Sequence, residues 1–260
     1  MTETLLQKTT RTLRDEGWRS FFKKAADYLD HKAEPAKRLF APSARRAIMR
    51  LDPQQNDPTF LLNFMFKKFA GLIRPAQVRW EIENLAAIIK ELKPKTVLEI
   101  GTAKGGTLFL ACRLADPQAL VISIDLPGGD FGGGYPEWKV PLYRTFSLPQ
   151  QTLHLLREDS HAPATLEKIK TILGNRQVDY LFIDGDHTYE GVKQDFQMFS
   201  PLVRPGGVIA FHDIAIHPKE GGTEVDRLWN EVKTETSQEF IENRNQKWAG
   251  IGVYYVPVAR

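Results

Sequence analysis

Two apolar stretches of the sequence end abruptly in acids and imidazoles. The run VDYLFI is followed by Asp184, Asp186 and His187. The run GVIAFH ends in His212 and leads into Asp213. Acids and imidazoles gathered at the end of a buried segment are costly unless they share protons, bind a metal ion or contact a polar ligand. Because an imidazole titrates near neutral pH, His187 and His212 are candidate general bases.

A glycine-rich stretch, EIGTAKGGT, joins the apolar run TVLEI to a helical pattern. Gly101 allows a tight turn, and Gly105 and Gly106 let the backbone approach a ligand at the start of the helix. The dinucleotide fingerprint G-x-G-x-x-G needs glycine where this chain has Ala103, which counts against a nicotinamide site. The alternative is a glycine turn that only joins strand and helix.

Polar residues also follow the next two strand candidates. Asp125 follows LVISI and is placed to accept hydrogen bonds from ribose hydroxyls. Asp159 and Ser160 come shortly after TLHLL, where the base ring of a ligand would end. Ser160 could instead cap the next helix. The glycine-rich stretch 126–138 is interpreted either as a lid over a ligand or as a simple connection.

These residues are positioned by an alternation of strand and helix patterns. Apolar strand candidates span 96–100, 120–124, 152–156, 178–183 and 207–212. Short, almost continuous apolar strands separated by helices predict a parallel sheet that is covered on both faces. The stretches FIEN and AGIGVYYVPV have no helix between them and predict an antiparallel hairpin at the sheet edge. Ligands of such sheets bind beyond the carboxyl ends of the strands, where the polar residues lie.

The first 74 residues follow a different pattern. A helical pattern stops at Pro35, and 51–58 is a turn-rich linker with two prolines. Residues 59–73 are too apolar to stand in water alone, so they are expected to pack on the main body or on a second subunit. We predict a helical N-terminal extension over 1–74, which covers the pocket or makes a dimer contact, and a second domain over 75–260.

Composition and charge narrow the class of protein. With 42% hydrophobic and 26% charged residues the chain has an ordinary globular composition, and no apolar run approaches the roughly 18 residues of a membrane-spanning helix. Cys112 is the single cysteine, which excludes an internal disulfide and favours a reducing, cytoplasmic location. The N-terminus lacks the pattern of a secretory signal.

Positive charge is concentrated near the N-terminus. Residues 1–50 carry 12 Lys or Arg against 6 Asp or Glu, whereas the net charge of the whole chain is +3. A solvated helix face is the simple explanation, and an anionic partner surface is the alternative. We expect no nucleic-acid partner, and peripheral membrane contact through residues 1–50 is the second option.

Taken together, the stretches VLEIGTAKGGT, ISID, EDSH and VDYLFIDGDHTYEGVKQDFQMFSPLVRPGGVIAFHDI resemble class I S-adenosylmethionine-dependent methyltransferases. They are most similar to a bacterial branch of sugar and macrolide O-methyltransferases and cephalosporin-hydroxylase-like proteins, over about residues 75–257. The resemblance implies a Rossmann-like α/β fold, in which a seven-stranded, mostly parallel sheet with an antiparallel last strand carries helices on both faces. It also implies methyl transfer from S-adenosylmethionine to a hydroxyl of a small molecule, a sugar or a glycan intermediate.

Carried over by position, the resemblance gives roles to the matching residues. Asp125 would bind the ribose hydroxyls, and Asp159 would meet the adenine amino group with Ser160 beside it. Asp184 would lie near the sulfonium and the reacting methyl group. The residues that would hold the methionine part of the cofactor are Glu99, Gly101, Thr102, Ala103 and Gly105.

A metal ion is a further option. Metal-dependent relatives carry a carboxylate after strand four and an acidic pair after strand five, where this chain has Asp184 and then His212 and Asp213. Asp184 and Asp213 offer the oxygen ligands that Mg²⁺ prefers, whereas His212 favours a softer metal or none. Such relatives carry a basic catalytic residue at the place of His187. His187, His212 and Asp184 are therefore the candidate catalytic residues.

Other functions remain as alternatives. The chain could be a non-catalytic S-adenosylmethionine-binding module or, with less support from its motifs, a nicotinamide-dependent oxidoreductase. Methylation of nucleic acids is disfavoured, because FIDGDH occupies the place of the Asn/Asp-Pro-Pro-aromatic motif. A homo-oligomer is expected, and the sequence does not name the methyl acceptor.

Overall fold

The computed structural model describes residues 36–129, 134–218 and 221–258. Strands in these residues form one seven-stranded sheet in the order β3-β2-β1-β4-β5-β7-β6. Strands β1 to β5 run parallel, and β7 runs antiparallel to its neighbours β5 and β6. The bounds are β1 Thr96–Ile100, β2 Leu120–Ile124, β3 Thr152–Leu156, β4 Val178–Ile183, β5 Val203–His212, β6 Gln238–Phe240 and β7 Ile251–Tyr255. This mixed, Rossmann-like sheet confirms the predicted fold class.

Helices cover both faces of the sheet. Helices α1 to α5 share one apolar core with residues such as Val97 and Tyr180, and α6 to α8 share the other with Leu98 and Leu181. Because every residue of β1 and β2 is buried, these strands are mostly apolar in sequence. The complete α-helices in the described residues are α1 Ala41–Met49, α2 Pro58–Lys67, α3 Arg79–Leu92, α4 Gly106–Leu114, α5 Val140–Tyr143, α6 Pro163–Leu173, α7 Tyr189–Phe199 and α8 Val225–Val232.

Four of the predicted strands have the predicted bounds, and the fifth is longer. Strand β5 begins at Val203 rather than at residue 207, because the chain passes through Arg204-Pro205-Gly206-Gly207 without leaving the strand. These residues have turn composition, so the sequence pattern hid the extension. An antiparallel pair of strands, β6 and β7, is present as predicted, but β6 ends at Phe240 and shares only that residue with the predicted strand FIEN, 240–243. However, β7 lies inside the sheet beside β5, and only β6 is at the edge.

The N-terminal part of the described chain packs on the main body. Leu61, Leu62 and Met65 of α2 are fully buried in the core they share with α4. Phe64 stacks on Phe109 with 5.8 Å between the ring centroids. The helix predicted before Pro35 lies outside the described residues. The division of the chain at residue 74 stays a prediction.

Strand order reverses between β1 and β4. Strands β2 and β3 continue the sheet on one side of β1, and β4 starts the other side. At this point the Asp184 backbone N–H donates to the Ile100 carbonyl at 2.8 Å, and the Gly101 N–H donates to the Ile124 carbonyl at 2.9 Å. The loop after β1 therefore meets the end of β4 at the place where ligands of such sheets bind. None of the helices in the described ranges is long and apolar enough to cross a membrane.

Candidate active site

A cavity of about 340 Å³ opens at the carboxyl edge of the sheet. It collects residues from the loops that follow β1, β2, β3 and β4, which are the loops that the sequence analysis selected. The predicted site residues that line it are Gly101, Ala103, Asp125, Asp159, Ser160 and Asp184. Such a cavity falls in the size range of small-molecule sites.

The glycines of the loop after β1 make room for protein neighbours. A Cβ on Gly101, which has a φ of +88°, would lie 2.0 Å from the Asp184 carbonyl oxygen. A Cβ on Gly105, at φ +78°, would lie 2.7 Å from the Tyr143 ring. A side chain on Gly101 would therefore push the loop away from Asp184, and a side chain on Gly105 would push it away from Tyr143.

Glu99, Thr102 and Gly105 lie behind this wall and not on it. Glu99 is 1% exposed, and its Oε2 is buried without a hydrogen-bond partner among the described residues. Burial raises the pKa of Glu99 to about 8, against the opposing effect of hydrogen bonds with Thr107 and Thr102. The Thr102 hydroxyl is hydrogen-bonded to that of Ser123. These residues support the loop from below.

Asp125 joins two loops of the cavity. Its Oδ2 accepts the Ala103 N–H at 2.9 Å and the Tyr135 N–H at 3.2 Å. Burial raises the pKa of Asp125 to about 6, although these backbone hydrogen bonds lower it. One carboxylate thus fixes the loop after β1 against the loop after β2, while it also lines the cavity.

The residues after β3 form a tight turn at the far end of the cavity. Asp159 Oδ1 accepts the His161 N–H at 2.9 Å. Helix α6 begins at Pro163 with Ala162 as its N-cap, so the alternative that Ser160 caps this helix is wrong. Ser160 lies in the cavity lining instead.

Beside this turn a half-buried histidine faces a buried aspartate, and the sequence did not predict this pair. His161 lines the cavity, and its Nε2 lies 3.3 Å from Oδ1 of Asp195, a fully buried residue of α7. The hydrogen bond to Asp195 raises the pKa of His161. An aspartate in the middle of an amphipathic helix pattern is typical of the solvated face, so its sequence context gave no signal of burial.

A cluster of two carboxylates and three imidazoles lies at the ends of β4 and β5. We call it the imidazole–carboxylate cluster; its members are Asp184, His187, His212, Asp213 and His217. His212 Nδ1 lies 3.0 Å from Asp184 Oδ1 and 3.3 Å from Asp213 Oδ2. His187 Nε2 and Nδ1 lie 3.4 Å from Asp184 Oδ1 and 3.0 Å from Asp213 Oδ2. His217 Nε2 lies 3.1 Å from Asp213 Oδ1.

Opposite charges within the cluster stabilise each other. Burial alone would lower the pKa of His187, but hydrogen bonds to Asp184 and Asp213 outweigh it and raise that pKa to about 10. Burial alone would raise the pKa of Asp184, but the nearby His212 and the hydrogen bonds keep it below its usual value. An imidazole with a carboxylate at each nitrogen donates two hydrogen bonds, as only the cation can.

Gln77 is a further member of the site that sequence reasoning missed. This residue precedes α3, is 5% exposed, and donates from Nε2 to Asp184 Oδ2 at 2.7 Å. It is 107 positions from Asp184 in sequence, so no local pattern could reveal the contact. His217 was missed as well, because it follows β5 by several residues.

Comparison with known proteins agrees with this geometry. Residues 98–214 match the family model of a methyltransferase domain. The chain resembles the class I methyltransferases. The methyltransferase-like region, as we call residues 98–214, contains the last three residues of β1, the whole of β2 to β5 and every predicted site residue. It does not include Gln77 or the strands β6 and β7.

Curated relatives match parts of the chain. The uncharacterized protein y4gI of Sinorhizobium fredii is 28% identical over 151 residues, which are 56% of this chain and 16% of that protein. The uncharacterized protein R132 of Acanthamoeba polyphaga mimivirus is 30% identical over 132 residues, which are 51% of this chain and 57% of that protein. The matches thus span about a sixth of one relative and just over half of the other.

A solved structure shares the fold of the methyltransferase-like region. An O-methyltransferase from Bacillus cereus, in complex with S-adenosylhomocysteine, superposes with a TM-score of 0.51 at 17% identity. The superposition covers 76% of this chain and 90% of that one. At this identity the likeness shows the fold.

The methyltransferase-like region also offers a possible set of metal ligands. Asp184, His212 and Asp213 each provide one ligand atom, and these atoms lie within 4.8 Å of one another. Two carboxylates and one imidazole fit a divalent cation of the Mn²⁺ or Fe²⁺ type better than Mg²⁺, which prefers oxygen ligands.

Proposed function

We propose that this protein transfers a methyl group from S-adenosylmethionine to a hydroxyl of a small molecule, a sugar or a glycan intermediate. The observation that carries the proposal is the position of Asp184. Its carboxylate belongs to the imidazole–carboxylate cluster, and the same residue lines the cavity that Asp125 and Asp159 also line. A cofactor in the cavity and an acceptor at the cluster would therefore meet at one residue.

The cavity residues fit the chemistry of the proposed cofactor. S-adenosylmethionine supplies an electrophilic methyl group on a cationic sulfur. Carboxylates in the cavity, Asp125, Asp159 and Asp184, suit a ligand that carries positive charge and hydroxyl and amino donors. We assign Asp125 to the ribose, Asp159 and Ser160 to the adenine, and Asp184 to the neighbourhood of the sulfur.

The loop after β1 would hold the methionine part of the cofactor. Gly101 and Ala103 line the cavity directly, and Ala103 presents its backbone in a left-handed conformation with a φ of 43°. This loop would be held in place, on the side away from the cavity, by Glu99, Thr102 and Gly105. The buried Glu99 Oε2, without a partner among the described residues, is the atom to which a donor of the ligand could bind through a small shift.

Proton removal from the acceptor is assigned to the imidazole–carboxylate cluster. A hydroxyl becomes a good nucleophile only as it loses its proton, and the base must lie within hydrogen-bond reach. Because both nitrogens of His187 donate to carboxylates, a lone pair becomes available only when one N–H proton passes to Asp184, to Asp213 or to solvent. We assign this role first to His187, with His212 and Asp184 as its neighbours in the proton transfer.

A non-catalytic S-adenosylmethionine-binding module is the second candidate. It is favoured by one observation: each ring nitrogen of His187 faces a carboxylate of the cluster, so neither nitrogen is directed at an acceptor. Incubation with methyl-labelled cofactor and a panel of hydroxyl acceptors distinguishes the two candidates. Label in any acceptor supports the enzyme, and tight binding without turnover across the panel supports the module.

Calorimetry should detect binding of S-adenosylmethionine or its demethylated product to the full chain. Asp125→Asn should weaken this binding by about tenfold or more, because hydrogen bonds to a charged acceptor are lost. Since burial raises the pKa of Asp125 to about 6, the carboxylate becomes protonated as the pH falls through 6. Affinity should therefore drop between pH 7 and pH 5 in the wild type, and less in the variant.

Two outcomes bear on this binding test. Wild-type protein that is folded and takes up neither compound contradicts the proposed function. Glu99, whose pKa burial raises to about 8, is a second carboxyl group that interacts with Asp125, so an equal pH effect in the Asp125→Asn variant would assign the titration to Glu99.

Chelation separates a metal-dependent reaction from direct base catalysis. If Asp184, His212 and Asp213 hold a divalent cation, EDTA should reduce methyl transfer by at least about 10²-fold, and Mn²⁺ or Mg²⁺ should restore it. Turnover that is unchanged after exhaustive chelation would eliminate the metal and leave the imidazoles as the base. A binding isotherm for Mn²⁺ that disappears in Asp213→Ala provides the control.

The remaining assignments are also proposals. The hydroxyl acceptor follows from the resemblance to sugar and macrolide O-methyltransferases. A cytoplasmic location, a homo-oligomer, and pocket cover or dimer contact by residues 1–74 complete the proposal. Sedimentation with anionic vesicles that is lost when residues 1–50 are removed would favour a peripheral membrane role for that segment instead.

A further inference from the structure

We propose that the start of α3 positions both carboxylates of the imidazole–carboxylate cluster, with Gln77 and Glu81 as the positioning residues. Gln77 would hold Asp184 directly, and Glu81 would hold Asp213 through the loop between β6 and β7. Gln77 lies two positions before the first residue of α3, and Glu81 lies in the first turn of that helix. As a statement about catalysis, this inference rests on the proposed function.

The contact between Gln77 and Asp184 is specific in geometry. Gln77 Nε2 donates to Asp184 Oδ2 at 2.7 Å, while His212 occupies Oδ1 of the same carboxylate at 3.0 Å. The amide and the imidazole thus fix the two oxygens from opposite sides. Gln77 Oε1 is buried without a hydrogen-bond partner among the described residues.

Glu81 fixes the loop between β6 and β7. Its carboxylate is fully buried and accepts the Glu242 N–H at 3.1 Å, the Gln246 Nε2 at 2.9 Å and the Gly250 N–H at 2.9 Å. A buried carboxylate with three donors holds both ends of this ten-residue segment, 241–250, at once.

The same loop is hydrogen-bonded to Asp213. The Ala249 N–H donates to Asp213 Oδ1 at 3.0 Å. The Ala215 N–H in turn donates to the Ala249 carbonyl at 2.9 Å. Asp213 and Ala249 both have positive φ angles, 62° and 61°, which non-glycine residues keep only where their surroundings enforce them. Glu81 is therefore connected to Asp213 by two hydrogen bonds, one from Gly250 and one from Ala249, which are neighbours in the backbone.

The test compares two Gln→Leu substitutions in the full chain. Gln77→Leu should shift the ring-nitrogen resonances of His212 and His187 in NMR spectra of the histidine side chains. Because it removes a donor to a buried carboxylate, it should also lower the melting temperature by about 4 °C or more. The matched control is Gln151→Leu, which removes an amide that donates to the carbonyls of Cys112 and Asp116 far from the cluster. It should lower the melting temperature by about 4 °C or more and leave the imidazole resonances in place.

A second variant tests the proposed role of Glu81. Glu81→Gln keeps the shape but replaces one acceptor oxygen with a donor, so it should shift the resonances of His217, whose Nε2 lies 3.1 Å from Asp213 Oδ1. Unchanged imidazole resonances in folded Gln77→Leu protein would overturn the proposal for Gln77, and unchanged His217 resonances in folded Glu81→Gln protein would overturn it for Glu81.

The spectra do not depend on the reaction, so failure of this proposal and failure of the proposed function can be told apart. With an acceptor that supports transfer, Gln77→Leu should lower kcat about tenfold and leave KM for S-adenosylmethionine unchanged. A raised KM with unchanged kcat would instead make Gln77 a binding residue and contradict the positioning role.

Discussion

Asp184→Asn should lower kcat for methyl transfer by about 10³-fold, the largest effect we expect from any single substitution in this protein. Asp184 receives the Gln77 amide at 2.7 Å and the His212 imidazole at 3.0 Å, and His187 lies 3.4 Å away. Asparagine keeps the size of the side chain but removes the charge and one acceptor oxygen. Its neighbours would then lose the group that orients them, and the cavity would lose the carboxylate proposed to lie beside the sulfonium.

The control for this substitution lies on the same strand. Asp179 is at the opposite end of β4, where Oδ2 accepts the backbone N–H groups of Lys95 and Thr96 at 2.8 and 2.9 Å. Asp179→Asn should destabilise the fold and leave kcat within about twofold of the wild type, because it touches neither the cavity nor the cluster. Equal kcat in the Asp184→Asn variant and the wild type would refute the role of Asp184.

His187→Ala should lower kcat by about 10²-fold or more if His187 removes the acceptor proton. The imidazole bridges Asp184 and Asp213, so its loss also removes one of the two imidazoles that these buried carboxylates share. Some of the activity should return when imidazole is added, because alanine leaves space for the free base. Steady-state kinetics with labelled cofactor, with and without added imidazole, measures both effects.

His154→Ala is the matched control for His187. His154 lies half-buried on β3, and its register partner is Ile122, away from the imidazole–carboxylate cluster. This variant should keep wild-type turnover and should not respond to imidazole. Near-wild-type turnover of His187→Ala would reject His187 as the base and transfer that role to His212 or to a metal-bound group.

The buried strands were predictable from the sequence because both of their faces meet helices. In β1 and β2 every residue is buried, so the apolar run and the strand coincide. The start of β5 was not predictable, because Pro205, Gly206 and Gly207 have turn composition yet continue the strand. Likewise, the pattern of β6 and β7 predicts a hairpin, but which of the two strands pairs with β5 is decided by the packing of the whole sheet.

Some residues of the candidate site were also predictable from the sequence, and others were not. Residues that directly follow the parallel strands, such as Asp125 and Asp184, could be selected because the topology brings strand ends together. Gln77 and Asp195 could not be selected. Their roles depend on contacts across the fold, and an isolated glutamine or a mid-helix aspartate has no distinctive spacing. Residues that contact the site residues from other parts of the fold are thus determined by three-dimensional packing and have no local sequence pattern.

The position of β7 has a consequence for synthesis. β6 precedes β7 in sequence, but β7 lies between β5 and β6 in the sheet. A nascent chain that has emerged from the ribosome only as far as residue 245 presents β5 with a bare hydrogen-bonding edge, and β6 then has no strand to dock on. Such an edge invites association with other chains. Translational stalling before residue 251, or a premature stop codon there, should therefore produce aggregates rather than a smaller folded protein.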